Sequence, residues 1–267
     1  MDARERASFA HDIRRTIIEQ SYRANVGHIG SALSVADLVA AVIAGPARLD
    51  GDGDRDRVVL SKGHAALALY AALHLDGRLD NGAIDTYCAD GSLLGVHPEH
   101  GLAGVDFCTG SLGQGLSLGA GAALAAKRQG SARRIFVIMS DAELNEGSVW
   151  EAVMFAAQHR LDNLTLLVDL NGQQALGYTP DVIDLGAIED KLRDFGWSAN
   201  VVPGHDHEAL GAALDLSDEG RPRAIVAKTT FGYGVSFMES QIKWHYLPLD
   251  EDSYASAIAD LEQLAAA

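Results

Sequence analysis

Apolar and polar positions change period repeatedly along the chain, and the changes mark alternating helices and strands. ERASFAHDIRRTIIEQSYRA (5–24) sets Phe9, Ile13, Ile17 and Tyr22 on or near one face and predicts a helix. After the loop NVGHIG, Ser34 followed by Asp37 is a capping-box pattern that predicts a helix opening at SVADLVAAVIAG. VVLSKGHAALALYAALHLDG reads as strand, Gly-His turn and helix, and the polar stretch through CADGSLLGVHPEHG as loop. TGSLGQGLSLGAGAALAAKRQG is a Gly-rich turn running into a helix of small residues. Two β-branched apolar runs, RIFVIMS (134–140) and LTLLVDL (164–170), flank the amphipathic SVWEAVMFAAQHR, which predicts a βαβ unit. A long loop (GQQALGYTPDVID) follows, then a helix near LGAIEDKLRDFG, a strand at SANVVPG and a helix at HEALGAALDL. A last strand at PRAIVAKTT and a terminal helix complete the pattern. This alternation predicts an α/β fold, one three-layer αβα domain over residues 1–267 with a mostly parallel sheet.

The βαβ unit indicates where chemistry should sit. Its parallel strands deliver Asp141 and Asn171, thirty residues apart, to one edge of the sheet. In open α/β sheets ligands bind outside the carboxyl ends of the strands. A carboxylate and an amide oxygen brought together there suit a hard cation, Mg²⁺ or Ca²⁺, that also holds a diphosphate. Mg²⁺ takes about six oxygens, which makes the main-chain carbonyl of Gln173 a further candidate. Residues 140–146 join strand to helix, where N–H groups and the helix dipole favour phosphate. The same residue types also cap helices and open turns, so spacing alone leaves both readings open.

Composition narrows the partners. With 267 residues, 48% of them hydrophobic, the chain can bury a core, which argues against disorder. A formal net charge of −16 argues against nucleic acid and anionic membranes, which need a basic face. A phosphorylated ligand must then be held locally by a metal, helix N-termini and histidines. Cys88 and Cys108 form no metal or redox spacing, as expected in a reducing compartment. No basic leader with an apolar core opens the chain, and no apolar stretch reaches spanning length. A soluble cytoplasmic protein is expected.

Four of the ten histidines lie in Gly- or Pro-containing loops at predicted element ends: His28, His64, His97 and His245. Together they can line one polar pocket and move protons near neutral pH. Singly, each is an ordinary solvated or hydrogen-bonded side chain. Zinc is a weaker reading, because there is no HExxH pair and no Cys ligand. TGSLGQG is only loosely like a dinucleotide fingerprint, with no clear strand before it and no acid at the right distance after it. It reads better as backbone approaching a ligand, with Gly110 and Gly113 removing obstructing side chains.

Together these segments resemble the amino-terminal, diphosphate-binding half of transketolase. The likeness covers nearly the whole chain, from RRTIIEQSYRANVGHIGSALSVAD through SKGHAALALY, VHPEHG, TGSLGQGLSLGAG, SDAELNEGSVWEA and VDLNGQQ to KTTFGYGVSFMES and WH, in order and spacing as well as wording. The resemblance implies a thiamine diphosphate-binding fold, with Asp141 and Asn171 as the motif that in the family begins GDG and ends in Asn. It implies Asp141, Asn171 and the Gln173 carbonyl as Mg²⁺ ligands. Gly110, Ser111 and Leu112 then supply backbone at the thiamine rings, and His64 and Ala142 contact the diphosphate. His28, His97 and His245 match channel histidines that contact the donor sugar's hydroxyls and the reacting carbon. Glu146 and Glu151 match acids near a subunit interface that join cofactor sites, and both also read as first-turn helix acids.

The activity so implied moves a two-carbon ketol unit from a ketose (phosphate) donor to an aldose acceptor. His245 and His28 are the candidates to stabilise the developing alkoxide and to assist removal of the C3 hydroxyl proton. Two departures from the family pattern stand out. Ser140-Asp141-Ala142 replaces GDG, and both added side chains are expected to cost space beside the diphosphate. Tyr246 follows His245 where the family commonly has a small residue. The full family chain continues into a pyrimidine-binding domain and a C-terminal domain. The expectation is therefore an N-terminal subunit of a split enzyme, inactive alone, in an α2β2 heterotetramer with a separate C-terminal subunit. Its rivals are a subunit of another thiamine carboligase, like deoxyxylulose phosphate synthase or a secondary-metabolite sugar enzyme, and a cofactor-dead scaffold. Glu146 before Gly147 and the WH pair favour transketolase over the first. Only the SDA motif favours the scaffold.

Overall fold

The computed structural model describes residues 1–51, 53–218 and 220–266. In chain order it contains α1 (Ala3–Ala24), α2 (Ile29–Ile43), β1 (Arg57–Leu60), α3 (Ala66–Leu75), a short α4 (Asn81–Ile84) and α5 (Gly115–Arg128). Next come β2 (Ile135–Ser140), α6 (Gly147–Gln158) and β3 (Leu164–Leu170). A small hairpin of β4 (Gln173–Gln174) and β5 (Gly177–Tyr178) leads to α7 (Thr179–Ile183) and α8 (Ile188–Asp194). The chain ends with β6 (Ser198–Pro203), α9 (His207–Asp215), β7 (Arg223–Lys228) and α10 (Glu251–Ala266).

Five strands form one parallel sheet in the order β1-β2-β3-β7-β6. The predicted βαβ unit is present, with β2 beside β3 in a register running from Ile135 opposite Leu164 to Ser140 opposite Asp169. Alternate residues feed two cores. Val58, Leu60, Phe136, Ile138 and Leu167 pack with α1, α2 and α3. Val59, Val137, Met139, Leu166 and Val168 pack with α5, α6 and α8. Both faces are covered, so the strands read as continuous apolar runs rather than as alternation. The small residues of α5 allow close approach: a Cβ on Gly119 would lie 2.4 Å from Cγ2 of Val137. Among the described residues no helix is long and apolar enough to cross a membrane.

The capping box predicted at Ser34 and Asp37 does not form. Helix α2 starts earlier, at Ile29, after His28 in the left-handed region (φ 63°), and no side chain caps it. Ser34 and Asp37 lie inside α2, and both are buried. Buried polar groups need partners, and these two find theirs in tertiary contacts instead of the helix end. Ser34 Oγ donates to Asp169 Oδ2 at 2.7 Å. Asp37 takes the Arg14 guanidinium on Oδ2, His205 Nδ1 also on Oδ2, and His207 Nε2 on Oδ1. The true capping box is at the start of α1, where Asp2 and Glu5 cap reciprocally. The long loop after β3 carries the hairpin and α7, which its turn-rich composition concealed.

Burial pushes the Asp37 carboxyl up, but Arg14 and the two imidazoles outweigh it and hold the group well below the usual carboxylate range. Arg14 is itself only 2% exposed, so removing the carboxylate charge strands a cation in the core. Asp37→Asn is therefore expected to destabilise the fold by about 3–5 kcal/mol, measured as a fall in the urea midpoint at constant m-value. An unchanged midpoint would show that the cluster contributes nothing net.

Candidate active site

Four loops meet at the carboxyl edge of the sheet. The first follows β1 and runs Ser61, Lys62, Gly63, His64. The second follows β2 with Asp141, the third follows β3 with Asn171 to Gln173, and the fourth follows β7 with Thr229. Their centre is Asp169, fully buried at the end of β3. Its carboxylate accepts Lys62 Nζ, Ser34 Oγ, Thr229 Oγ1 and, at 3.1 Å, Asn171 Nδ2. Its main-chain oxygen accepts the N–H of Asp141 at 3.1 Å.

Asp141 and Asn171 come together as the spacing predicted. Gly172, in the left-handed region at φ 73°, turns its N–H onto Asp141 Oδ2 at 3.0 Å. Asn171 Oδ1 accepts from Gln173 N–H at 2.9 Å. The other carboxylate oxygen, Asp141 Oδ1, is buried with no hydrogen-bond partner, as is Gln173 Oε1. Burial and the neighbouring Asp169 raise Asp141 to about 7. Two carboxylates therefore share one ammonium, and a buried oxygen lacks a counter-charge. That is a donor set short of one cation, and it fits a hard metal held by one carboxylate, one amide and a carbonyl. Among the described residues there is no group of three or more His, Cys, Asp or Glu side chains placed to hold a metal. A metal here would need oxygens from its ligand as well.

The histidines converge. His28, His64 and His245 form a triangle with ring centroids 5.3–5.4 Å apart. His97 lies against the Gly-rich loop, because a Cβ on Gly110 (φ 138°) would sit 2.7 Å from its ring. A Cβ on Gly63 would sit 2.7 Å from the Gly110 nitrogen, so both loops need glycine where they touch. Ser111 and Leu112 are exposed at the tip of that loop. His28 reaches its position only with a left-handed backbone, and its N–H donates to the His245 carbonyl at 3.1 Å. Tyr246, 62% exposed, stands edge-on to His245 and His28 at 4.7 and 5.5 Å.

Glu146 is exposed where α6 begins and borders the Gly-rich loop, since a Cβ on Gly113 would meet its Cβ at 2.5 Å. Glu151 is exposed on α6. Ala142 is partly exposed in the turn after Asp141. Ser140, expected to cost space beside the diphosphate, is turned into the protein. Ser140 is buried and its N–H and hydroxyl face Glu143, at 2.9 and 3.3 Å. Sequence reasoning passed over Lys62, Asp169 and Glu143. The one signal for Asp169 and Lys62 is a charge set within or beside an apolar run, and Glu143 read as one more acid at a helix start.

Each imidazole of the triangle resists a proton. Burial lowers His28, with His97 adding to the effect. Burial, Lys62 and the neighbouring histidines take His64 well below its ordinary value. Burial, then His28 and Lys62, take His245 from 6.5 to about 4. All three are neutral at pH 7 and able both to donate and to accept. Unfolded, they take up protons near 6.5, so their contribution to stability is present above that pH and lost as pH falls towards about 4. The melting temperature should fall across that window, and His245→Asn should flatten the fall. A variant whose pH profile superimposes on the parent's would contradict this reading.

Residues 5–262 match the transketolase, thiamine diphosphate binding domain family. The 6-deoxy-6-sulfo-D-fructose transketolase subunit SqwG of Clostridium sp. is 38% identical over 261 residues, 95% of each chain. An apulose-4-phosphate transketolase subunit of Phocaeicola vulgatus is 35% identical, over 94% of this chain and 91% of that one. The crystal structure of transketolase from Campylobacter jejuni superposes with a TM-score of 0.86 at 29% identity, over 100% of this chain and 43% of its own. The transketolase of Leishmania mexicana does so at 0.85 and 26%, over 98% and 45%. This chain thus spans less than half the length of those solved transketolases. With the family match running from the first helix to the last, this chain belongs to the transketolase family, as its thiamine diphosphate-binding, amino-terminal part.

Proposed function

We propose that this chain is the N-terminal subunit of a thiamine diphosphate- and Mg²⁺-dependent transketolase that transfers a two-carbon ketol unit from a ketose or ketose phosphate to an aldose. The carrying observation is the buried, unpartnered Oδ1 of Asp141 beside Asn171 and Gln173 at the carboxyl edge of the sheet. Asp141, Asn171 Oδ1 and the main-chain oxygen of Gln173 would hold the cation, Mg²⁺ or in its place Ca²⁺. His64 and the backbone at Ala142 would face the diphosphate, and Gly110, Ser111 and Leu112 the rings. When bound, thiamine diphosphate supplies the electron sink for cleaving the bond beside a ketose carbonyl.

The chain's own residues do the rest by position and proton transfer. His28, His97 and His245 hydrogen-bond the sugar hydroxyls as neutral imidazoles. His245, held neutral at working pH, donates to the oxygen on which charge develops, and His28 helps take the proton from the C3 hydroxyl. Glu146, exposed beside the Gly-rich loop, would join the acids that run between cofactor sites. A carboligase of the deoxyxylulose phosphate synthase kind has no observation in its favour beyond the shared site.

The partner is a separate C-terminal transketolase subunit carrying the pyrimidine-binding domain, in an α2β2 assembly. Support comes from relatives named as subunits, matched over nearly their full length, and from solved transketolases more than twice as long. One of those relatives is named for a sulfo-sugar and another for a sugar phosphate, which supports the substrate class and leaves the sugar open. Two free thiols, Cys88 and Cys108, support a cytoplasmic setting.

In the complex of this chain with its partner, thiamine diphosphate should bind saturably by calorimetry only when Mg²⁺ is present. Asp141→Ala should weaken that binding by about 100-fold or more, and the chain alone should transfer no ketol unit. Undiminished metal-dependent binding by the variant would remove Asp141 from the metal site. If an assembled wild-type complex binds no cofactor, this chain serves only as a scaffold for its partner.

A further inference from the structure

Glu143 is a buried carboxylate at the site that this function leaves unused. It is 0% exposed, and every group bonded to it is a donor. Oε1 accepts Ser61 Oγ–H at 2.5 Å and Gly113 N–H at 3.0 Å. Oε2 accepts the Ser140 N–H at 2.9 Å and the Ser140 hydroxyl at 3.3 Å. The three donor residues stand on three different segments: the turn after β1, the Gly-rich loop before α5, and the end of β2. Each segment supplies part of the candidate site, through His64, Gly110 to Leu112, and Asp141. Ser61 also packs closely on the start of α5, where a Cβ on Gly115 would lie 2.3 Å from its Oγ.

We propose that Glu143 and Ser140 form one buried clamp that sets the Gly110–Gly113 loop and the Asp141 turn in their cofactor-binding arrangement, with Glu143 as a positioning residue. Serine at the first position of the SDA motif is then no obstruction: its hydroxyl is the clamp's fourth bond. A carboxylate can accept from all of these donors, whereas an amide accepts at one atom only and turns two donors on the rest. The clamp's effect on cofactor affinity rests on the reading given under Proposed function, but its effect on loop order does not.

The test uses the assembled complex with wild-type chain, Glu143→Gln, Ser140→Gly and the double variant. Titration with thiamine diphosphate and Mg²⁺ is expected to show about 10- to 100-fold weaker binding for Glu143→Gln and about 2- to 5-fold for Ser140→Gly. The double variant should be no weaker than Glu143→Gln alone, because the two act through one unit. Hydrogen exchange on the ligand-free complex should show faster exchange at the Gly113 and Ser140 amides in Glu143→Gln, with β3 and β7 unchanged. Tighter binding by Ser140→Gly, or losses that multiply in the double variant, would overturn the clamp. So would unchanged exchange at those two amides. If wild type binds no cofactor, the functional reading falls, and the exchange data still decide the clamp.

Discussion

The site rests on the buried carboxylate of Asp169 and the single ammonium given to it. Lys62 and Asp169 are 1% and 0% exposed at their side chains, where desolvating two charges costs several kcal/mol per ion unless geometry and further hydrogen bonds offset it. Ser34, Asn171 and Thr229 provide those bonds. They arrive from α2, from the loop after β3 and from the loop after β7, so satisfying one carboxylate assembles the carboxyl edge. The same arithmetic leaves Asp141 short. It hangs from the Asp169 carbonyl, lies beside a second carboxylate, and has one buried oxygen without a hydrogen-bond partner, the Thr179 hydroxyl being nearby. In a chain of net charge −16, this leaves one buried acid at the carboxyl edge without an ammonium of its own.

The histidine triangle follows a different constraint. Imidazoles about 5 Å apart in a half-buried pocket cannot all carry protons, and Lys62 beneath them biases His64 and His245 further towards the neutral form. Neutral rings keep both a donor and an acceptor, which suits hydroxyl-rich ligands better than a row of cations would. Placing His28 in the triangle requires positive φ in a non-glycine residue. The strain is held by its bond to the His245 carbonyl and by Gly27, where a Cβ would collide with the Tyr246 carbonyl oxygen at 2.2 Å. Strain, close glycine contact and the histidines share one spot, which is characteristic of a pocket shaped for binding rather than for packing.

What the sequence made legible is what local pattern can encode. Apolar runs ending in Asp141 and Asn171 gave adjacent parallel strands, because a strand–helix–strand segment of that length closes only one way. Histidines in Gly- or Pro-containing loops pointed to a cluster, and His28, His64 and His245 form one. Partners distant in sequence were not legible. Lys62 meets Asp169 across 107 residues and Ser61 meets Glu143 across 82. Nothing in SKGH or SDAE announces that its polar residue will be buried. Ser34 and Asp37 show the converse error: a spacing that caps helices in solvent instead points inward from the middle of α2, because the fold brings Lys62, Asp169, Arg14 and two histidines to meet it.

The two departures from the family pattern lie in opposite physical settings, and this decides what each can change. Ser140 is turned inward, and both its polar groups are satisfied by a buried carboxylate. Its side chain is absorbed by the scaffold. Tyr246 is largely exposed, and no side chain among the described residues bonds its hydroxyl. Its ring stands edge-on to His245 and His28. A change beside Asp141 acts on the turn at the end of β2, whereas an exposed phenol beside His28 and His245 changes the surface that those rings present. The first departure is thus buffered by a buried partner, whereas the second stands exposed beside two histidines.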